Sequence, residues 1–500
     1  MSNHTNGHIS DDHVLPWTVG LVNGQFRYLT AESFGCKVNA NGLSLKKKQM
    51  WTLEPMRDGE AVCLRSHQGK YLAVDQFGNV TCEAEDSVAE ARFQILVADD
   101  RDGQWAFQSL ARGYFLGASN DKLVCTAKAP GPAELWNVHL AVRPQVLLRS
   151  LGRRRYARLS PDTDEVRVDA NTPWGEDTLF TLAYRDGKYT LHAGDGRCLD
   201  TGGKLVDTVG QDCRFTLEFH NGYLALRASD GRYLAPVGSK AVLRTRTQSV
   251  SKDELFTLEE SQPQAAFGGV NGKIVSVRQG VDVTANQDEI SDHETFQLEL
   301  DSATKRWYIR TMEDSYWCLG INAGIQATSC KRTPNCLFDL IWHQDGSVTF
   351  VANNGRFVAA KKSGHLFANS DQVGDMEKFR FYLINRSTLV IKCNQGFVGY
   401  KSATSKKLEC NKSSYETIII ERGDNPGSYY FKDGASNKYW RVSEEDVVID
   451  SDVPERFYLE LREPSKLCVK TSSGTYLVAE KNGILKVNGA DASSATLWEF

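Results

Sequence analysis

A short motif recurs along the whole chain, and its period constrains the fold more than any other feature. The motif is a turn, usually Gly-containing, then an aromatic residue, then Leu or another apolar side chain. In the first half it reads Arg27-Tyr28-Leu29, Gly69-Lys70-Tyr71-Leu72, Gly113-Tyr114-Phe115, Arg155-Tyr156-Ala157, Arg197-Cys198-Leu199 and Gly231-Arg232-Tyr233-Leu234. It continues as Lys273-Ile274-Val275, Ser315-Tyr316-Trp317, Gly355-Arg356-Phe357-Val358, Gly396-Phe397-Val398, Lys438-Tyr439-Trp440 and Gly474-Thr475-Tyr476-Leu477. These twelve copies stand about 42 residues apart. Each unit closes on a second pattern of the type Trp51-Thr52-Leu53, Trp136-Asn137-Val138 or Phe256-Thr257-Leu258. Alternation with period two, aromatic and β-branched enrichment, and Gly, Asn and Asp turns predict short antiparallel strands. No long amphipathic helix pattern is present, so the fold class is all-β.

A period of this length suits either a propeller blade or a β-trefoil subdomain, each with four strands. Twelve blades lie far outside the usual four to eight. Connecting stretches follow every third unit, at Leu140-Ala141-Val142-Arg143-Pro144, Glu260-Ser261-Gln262-Pro263 and Leu383-Ile384-Asn385-Arg386. Twelve subdomains in groups of three predict four tandem β-trefoils. The expected divisions are a polar tail over 1–16 and trefoils over 17–141, 142–261, 262–383 and 384–500.

With 41% hydrophobic and 24% charged residues in 500, the chain has enough apolar content for several cores and is not a disordered, collagenous or coiled-coil protein. A net charge of -4 gives no global attraction to nucleic acid, so any basic site must be a local patch. No apolar run approaches the roughly 20 residues of a membrane span. The polar start has no basic segment leading into an apolar one. The expectation is a cytoplasmic chain with no membrane insertion. The 12 cysteines are scattered without a CxxC pair, and the expectation is that they are buried and reduced, with no metal and no cofactor.

Catalytic motifs fail on inspection. Gly268-Gly269-Val270-Asn271-Gly272-Lys273 imitates a phosphate loop, but its glycines stand too close together and Ile274 takes the metal-reaching Ser/Thr position. His293-Glu294 lacks the second His of a zinc helix, and no GxSxG occurs. The expectation is that the chain is not an enzyme. The rival reading is a multi-trefoil scaffold or a lectin-like binding protein, the latter because Gln49-Met50-Trp51 matches a Gln-x-Trp sugar-binding pattern. That pattern occurs in one unit of the twelve, which favours Trp51 as a core residue.

Gly20-Leu21, Lys37-Val38-Asn39-Ala40 and Leu43-Ser44-Leu45-Lys46-Lys47-Lys48-Gln49, running on to Trp51, resemble the opening of the fascins. So do Lys252-Asp253-Glu254-Leu255-Phe256, Ala285-Asn286-Gln287-Asp288-Glu289, Glu294-Thr295-Phe296-Gln297-Leu298-Glu299 and Leu497-Trp498-Glu499-Phe500. The resemblance runs from about Trp17 to the end. It implies four tandem trefoils that cross-link F-actin into tight parallel bundles in the cytoskeleton of actin-rich cell projections, working as a monomer without enzymatic activity.

Residue by residue, the resemblance implies a basic, regulated actin-binding loop at Lys46, Lys47 and Lys48, with Arg27 beside it. Lys401 matches a basic position of a site between the first and last trefoils. Ser402 and Val478 depart from the basic residues usual there, and Lys481 stands near enough to substitute. Arg356, Lys361 and Lys362 form a further candidate patch in the third trefoil. Lys240, Arg244, Arg246 and Lys252 form another in the second, and Arg143, Arg149, Arg153, Arg154, Arg155 and Arg158 a dense run of arginines. Ser44, followed by three lysines, is the expected phosphorylation site for a protein kinase C type enzyme; Ser276, near Lys273 and Arg278, is the weaker one.

Overall fold

The computed structural model describes residues 17–56, 61–98, 103–220, 222–402 and 404–500. The expected tail over 1–16 lies outside them. Among the described residues there are 49 strands and eight single 3-10 turns, with no α-helix. The strands form four sheets, over 17–140, 145–260, 264–383 and 388–499.

The first sheet shows how the motif builds each unit. Six strands close a barrel: Trp17–Val22 pairs with Trp51–Pro55, which pairs with Val62–Ser66, then Arg92–Ala98, then Gln104–Ser109. The ring shuts through the Trp105–Trp136 bridge and the register of Asn137–Leu140 on the first strand. Three hairpins cap the barrel: Tyr28–Ala31 with Val38–Gly42, Tyr71–Val74 with Val80–Ala84, and Phe115–Ser119 with Lys122–Ala127. Each hairpin opens within or immediately after a copy of the motif. The ladder slips register just after the hairpin's opening aromatic, at Tyr28, Tyr71 and Phe115. Such a bulge bends the strand out of the barrel wall and into the cap.

The apolar residue after the motif's turn points inward. Leu29, Leu72, Leu116, Leu199, Leu234 and Val275 are wholly buried. So are the aromatics of the closing pattern, Trp51, Phe93, Trp136 and Phe180 among them. Each such side chain contributes roughly 1.5–3 kcal/mol by leaving water. Trp51 Nε1 donates to Leu29 O at 3.0 Å, and Trp136 Nε1 to Leu116 O at 3.1 Å, so the indoles tie closing strand to cap. Trp51 is therefore core, and no indole face is open to a sugar there.

The trefoils associate in pairs. One continuous apolar core runs through the first two and another through the last two. The two junctions repeat the same bonds. Tyr189 Oη donates to Val138 O at 2.7 Å and accepts Leu140 N–H, as Tyr429 Oη accepts Leu383 N–H at 2.6 Å. Trp105 Nε1 reaches Leu217 O, as Trp342 Nε1 reaches Leu461 O, both at 3.1 Å. Hydrogen bonds also cross between the pairs: Gln264 Nε2 donates to Pro173 O, Gln145 Nε2 to Thr388 O and Tyr415 Oη to Leu182 O.

The cysteine expectation needs one correction. Cys318 and Cys336 form a disulfide between the strand Tyr316–Leu319 and the turn Pro334–Cys336. Their separation of 18 residues hid the pair, because the intervening cap hairpin folds the chain back on itself. Of the free cysteines, Cys330 is exposed and Cys36 half-buried, and the other eight are buried.

Candidate functional site

The lysines at 46–48 sit on a turn that the fold uses repeatedly. Single 3-10 turns at Lys47–Gln49, Ala89–Ala91, Glu176–Thr178, Gln211–Cys213, Lys252–Glu254, Asp292–Glu294, Pro334–Cys336 and Asp375–Glu377 lead into barrel strands. Six of these eight carry an acidic residue in the turn, and in three of them a glutamate, Glu254, Glu294 or Glu377, accepts the N–H three residues back. Pro334–Cys336 has a proline and no acid. Lys47–Gln49 has two lysines and no acid, against the local preference.

That turn is firmly held. Gln49 is buried, its Oε1 accepting Lys46 N–H at 3.2 Å and its Nε2 donating to Thr30 Oγ1 at 3.1 Å. Leu45 packs so closely that a Cβ on Gly20 would stand 2.6 Å from Leu45 Cδ1 and 3.0 Å from Tyr28 Cδ1. Lys46 and Lys47 are exposed, and Ser44 is half-buried. Lys48 Nζ lies 2.9 Å from Glu32 Oε2, and this bond holds the Glu32 carboxyl below its ordinary range. Arg27, half-buried, precedes Tyr28 in a turn closed by the Asn23 carboxamide.

In the fourth trefoil the fold gathers residues that are about 80 apart in sequence. Ile449 N–H donates to Lys406 O at 2.8 Å, Val487 N–H to Glu445 O at 2.7 Å and Cys410 N–H to Gly483 O at 2.8 Å. These bonds lace the three cap tips into one surface, placing Lys401 and Lys481 on the same cap. Lys407 and Lys486 both pair with Asp446, whose carboxyl they hold low, and Lys412 pairs with Glu409. Lys401, Lys406 and Lys481 are exposed and have no ion pair among the described residues. Ser402 is exposed beside Lys401, and Val478 is half-buried in a strand facing Lys486.

The third-trefoil patch divides. Arg356 opens the hairpin Phe357–Ala360 with Leu366–Ser370 and pairs with Asp371. Lys361 and Lys362 lie at its tip, roughly 13 Å away along four residues of strand. In the second trefoil, Arg246 is committed to Asp253 and Glu254. Ser276 is buried, its Oγ donating to Glu294 Oε1 at 2.6 Å. A kinase needs a hydroxyl it can reach, so this geometry removes Ser276 as a candidate.

Three of the six arginines in the run line a cleft. A cleft of about 1180 Å³ lies between trefoils 1, 2 and 4, with Arg143, Arg149 and Arg154 on one side, Leu45 and Met50 beside the lysine turn, and Tyr415 opposite. Arg143 stands 3.6 Å from Glu260 and Arg149 3.7 Å from Glu259, so much of their charge is answered internally. Arg158 pairs with Asp169. On the same cleft His139 stacks on Tyr184 at 4.1 Å, and burial pushes its imidazole down to about 4. Nothing in the repeat pattern marks this cleft, because it arises between domains.

Four capped barrels in sequence define a tandem-trefoil protein. Comparison with known proteins makes the class specific. The Fascin domain matches residues 25–138, 147–258, 270–381 and 385–500. The chain is 44% identical over 491 residues to Fascin-2 of Bos taurus, covering 97% of this chain and 98% of that one. It is 34% identical to Fascin of Strongylocentrotus purpuratus over 97% of this chain and 99% of that one, and 26% identical to Fascin-3 of Mus musculus over 96% and 97%. This chain belongs to the fascin family.

Proposed function

We propose that this protein binds actin filaments and cross-links them into tight parallel bundles. The turn at 47–49 carries the proposal. At a place where the fold elsewhere prefers acids, this chain sets Lys47, exposed, and Lys48, half-buried, with the exposed Lys46 just before them, in a firmly held loop. Charge kept against local preference marks a surface selected for contact rather than for stability. An acidic filament is its natural partner, since complementary charge steers encounter and fixes orientation. Lys401, Lys406 and Lys481 on the fourth cap, and Lys361 and Lys362 on the third, supply further faces. A cross-linker needs at least two such faces, and docking at one raises the effective concentration at the other.

In this reading the protein acts as a monomer in the cytoplasm, at actin-rich projections. Phosphorylation at Ser44 by a protein kinase C type enzyme turns bundling off, because about -1.5 to -2 charges beside three lysines cancel the patch. Co-sedimentation tests the function. Pelleting of filaments at low speed requires bundles, whereas high-speed pelleting requires only binding. A protein that pellets with filaments at neither speed does not have this function.

A further inference from the structure

Two cysteines of the fourth trefoil, 17 residues apart in sequence, meet beneath its cap. Cys393 ends the short strand Lys392–Cys393, and its partner across the hairpin is Gly396. Gly396 lies against the strand Leu408–Lys412, where a Cβ would stand 2.6 Å from Lys412 O and 2.8 Å from Asn411 C. A glycine is what permits that approach, and it brings Cys393 onto Cys410. Cys393 Sγ lies 3.4 Å from Cys410 O and 2.9 Å from Gln395 Oε1, and the two thiols hydrogen-bond each other. The third trefoil already closes such a pair, Cys318 with Cys336.

The two sulfurs are not equivalent. Cys393 is 5% exposed, whereas Cys410 is fully enclosed. The Cys410 thiol, joined by the backbone N–H groups of Gln395 and Gly396, favours a thiolate on Cys393 and holds its thiol below the ordinary range. Cys63 and Cys125 are as deeply buried, but their sulfurs approach Met56 Sδ at 3.7 Å and Tyr114 O at 3.2 Å. Burial pushes each of those thiols up to about 11. The pair also sits against the tip that carries Lys481. Gly483 O accepts Cys410 N–H at 2.8 Å and has the Cys410 thiol 3.3 Å away, while Gln395 Nε2 donates to Glu480 O at 3.4 Å.

We infer that Cys393 and Cys410 are a dithiol that hydrogen peroxide converts to a disulfide, beneath the lysine-bearing tip of the fourth cap. The Cys393 thiolate attacks one peroxide oxygen, the O–O bond breaks, and the departing hydroxide takes up a proton to leave as water. The Cys410 sulfur then attacks the sulfenic acid so formed. An S–S bond forms, the S–O bond breaks, and a second water leaves with the Cys410 proton. Two thiols together lose two electrons, and one peroxide is reduced to two waters. The disulfide takes the Cys410 S–H away from Gly483 O, so oxidation loosens the tip on which Lys481 stands. This site is a property of the chain alone, whatever the cap binds.

The test uses the whole chain carrying Cys330→Ser, which removes the exposed thiol. The protein is treated with hydrogen peroxide, alkylated, and digested with trypsin without reduction. Cleavage after Lys392, Lys401, Lys407 and Lys412 puts the two cysteines in separate peptides, 393–401 and 408–412. The expected product is these two peptides joined, separable by dithiothreitol, and at least about tenfold more abundant than any cross-link through Cys63 or Cys125. Hydrogen exchange over residues 480–484 should be about threefold faster in the oxidised protein. In Cys410→Ala the sulfenic acid at Cys393 should persist and be captured by dimedone, whereas Cys393→Ala should leave Cys410 unmodified. Thermal unfolding establishes that each variant is folded, and the peptide map of the Cys330→Ser protein decides the matter where one is not. Cys393 recovered as an alkylated thiol, at a peroxide dose that oxidises Cys330 in the unaltered protein, overturns the inference. So does a cross-link of Cys393 to any cysteine other than Cys410. A Cys393–Cys410 disulfide that leaves exchange over 480–484 unchanged overturns its link to the tip.

Discussion

Lys46 and Lys47 are exposed and unpaired among the described residues, while Lys48 is engaged with Glu32, so the three lysines of one turn do different work. Reversing Lys46 and Lys47 to Glu should cut low-speed pelleting severely and leave thermal unfolding nearly unchanged, because exposed substitutions typically shift stability by within about 0.5 kcal/mol. Lys48→Glu is a different experiment. It sets two carboxylates together where Glu32 now has a partner, and should cost up to about 1 kcal/mol more than Lys46→Glu in denaturant unfolding. Ser44→Glu should lower bundling in the manner of phosphorylation while Ser44→Ala bundles normally; equal pelleting by both would leave Ser44 a plain turn residue. The lysine turn was legible in the sequence because three consecutive cations are conspicuous. The fate of Ser276 was not, since its neighbours in sequence say nothing of the Glu294 carboxylate 18 residues on that claims its hydroxyl.

At the scale of elements, strands and trefoil grouping could be read directly, because each copy of the motif marks the same bend from barrel into cap. What the repeat could not reveal is which elements of different trefoils meet. His139, on the last strand of the first barrel, illustrates the gap. Its Nδ1 shares a hydrogen bond with Tyr28 Oη (2.9 Å) and its ring stacks on Tyr184 of the second trefoil, in a setting that favours the neutral ring. Its folded value of about 4 lies below the ordinary 6.5 of a free imidazole. The unfolded chain therefore binds the proton more readily between these values, and stability must fall as pH drops from about 6.5 towards 4. The shift corresponds to at most about 3 kcal/mol. Denaturant unfolding of the unaltered protein and of His139→Gln across this range should show a flatter pH dependence for the variant. Parallel curves would mean that other groups govern the acid response.

For the whole molecule, lysine patches on separate lobes predict that bundling declines between about 0.05 and 0.3 M salt as the Debye length shortens. Bundling that ignores salt across this range would point instead to an apolar interface. The arrangement of the two trefoil pairs has a mechanical consequence. Each pair shares an apolar core, whereas the seam between the pairs includes hydrogen bonds such as Gln264 to Pro173, Gln145 to Thr388 and Tyr415 to Leu182. Apolar cores resist shear because sliding opens voids, while hydrogen-bonding groups such as the buried Gln264 and Gln145 side chains are solvated once a seam opens. A strut built this way is stiff within each half and compliant at its waist. When a loaded bundle bends and neighbouring filaments slide past each other, the deformation should concentrate at that seam, letting the cross-link flex without either half unfolding or either end letting go.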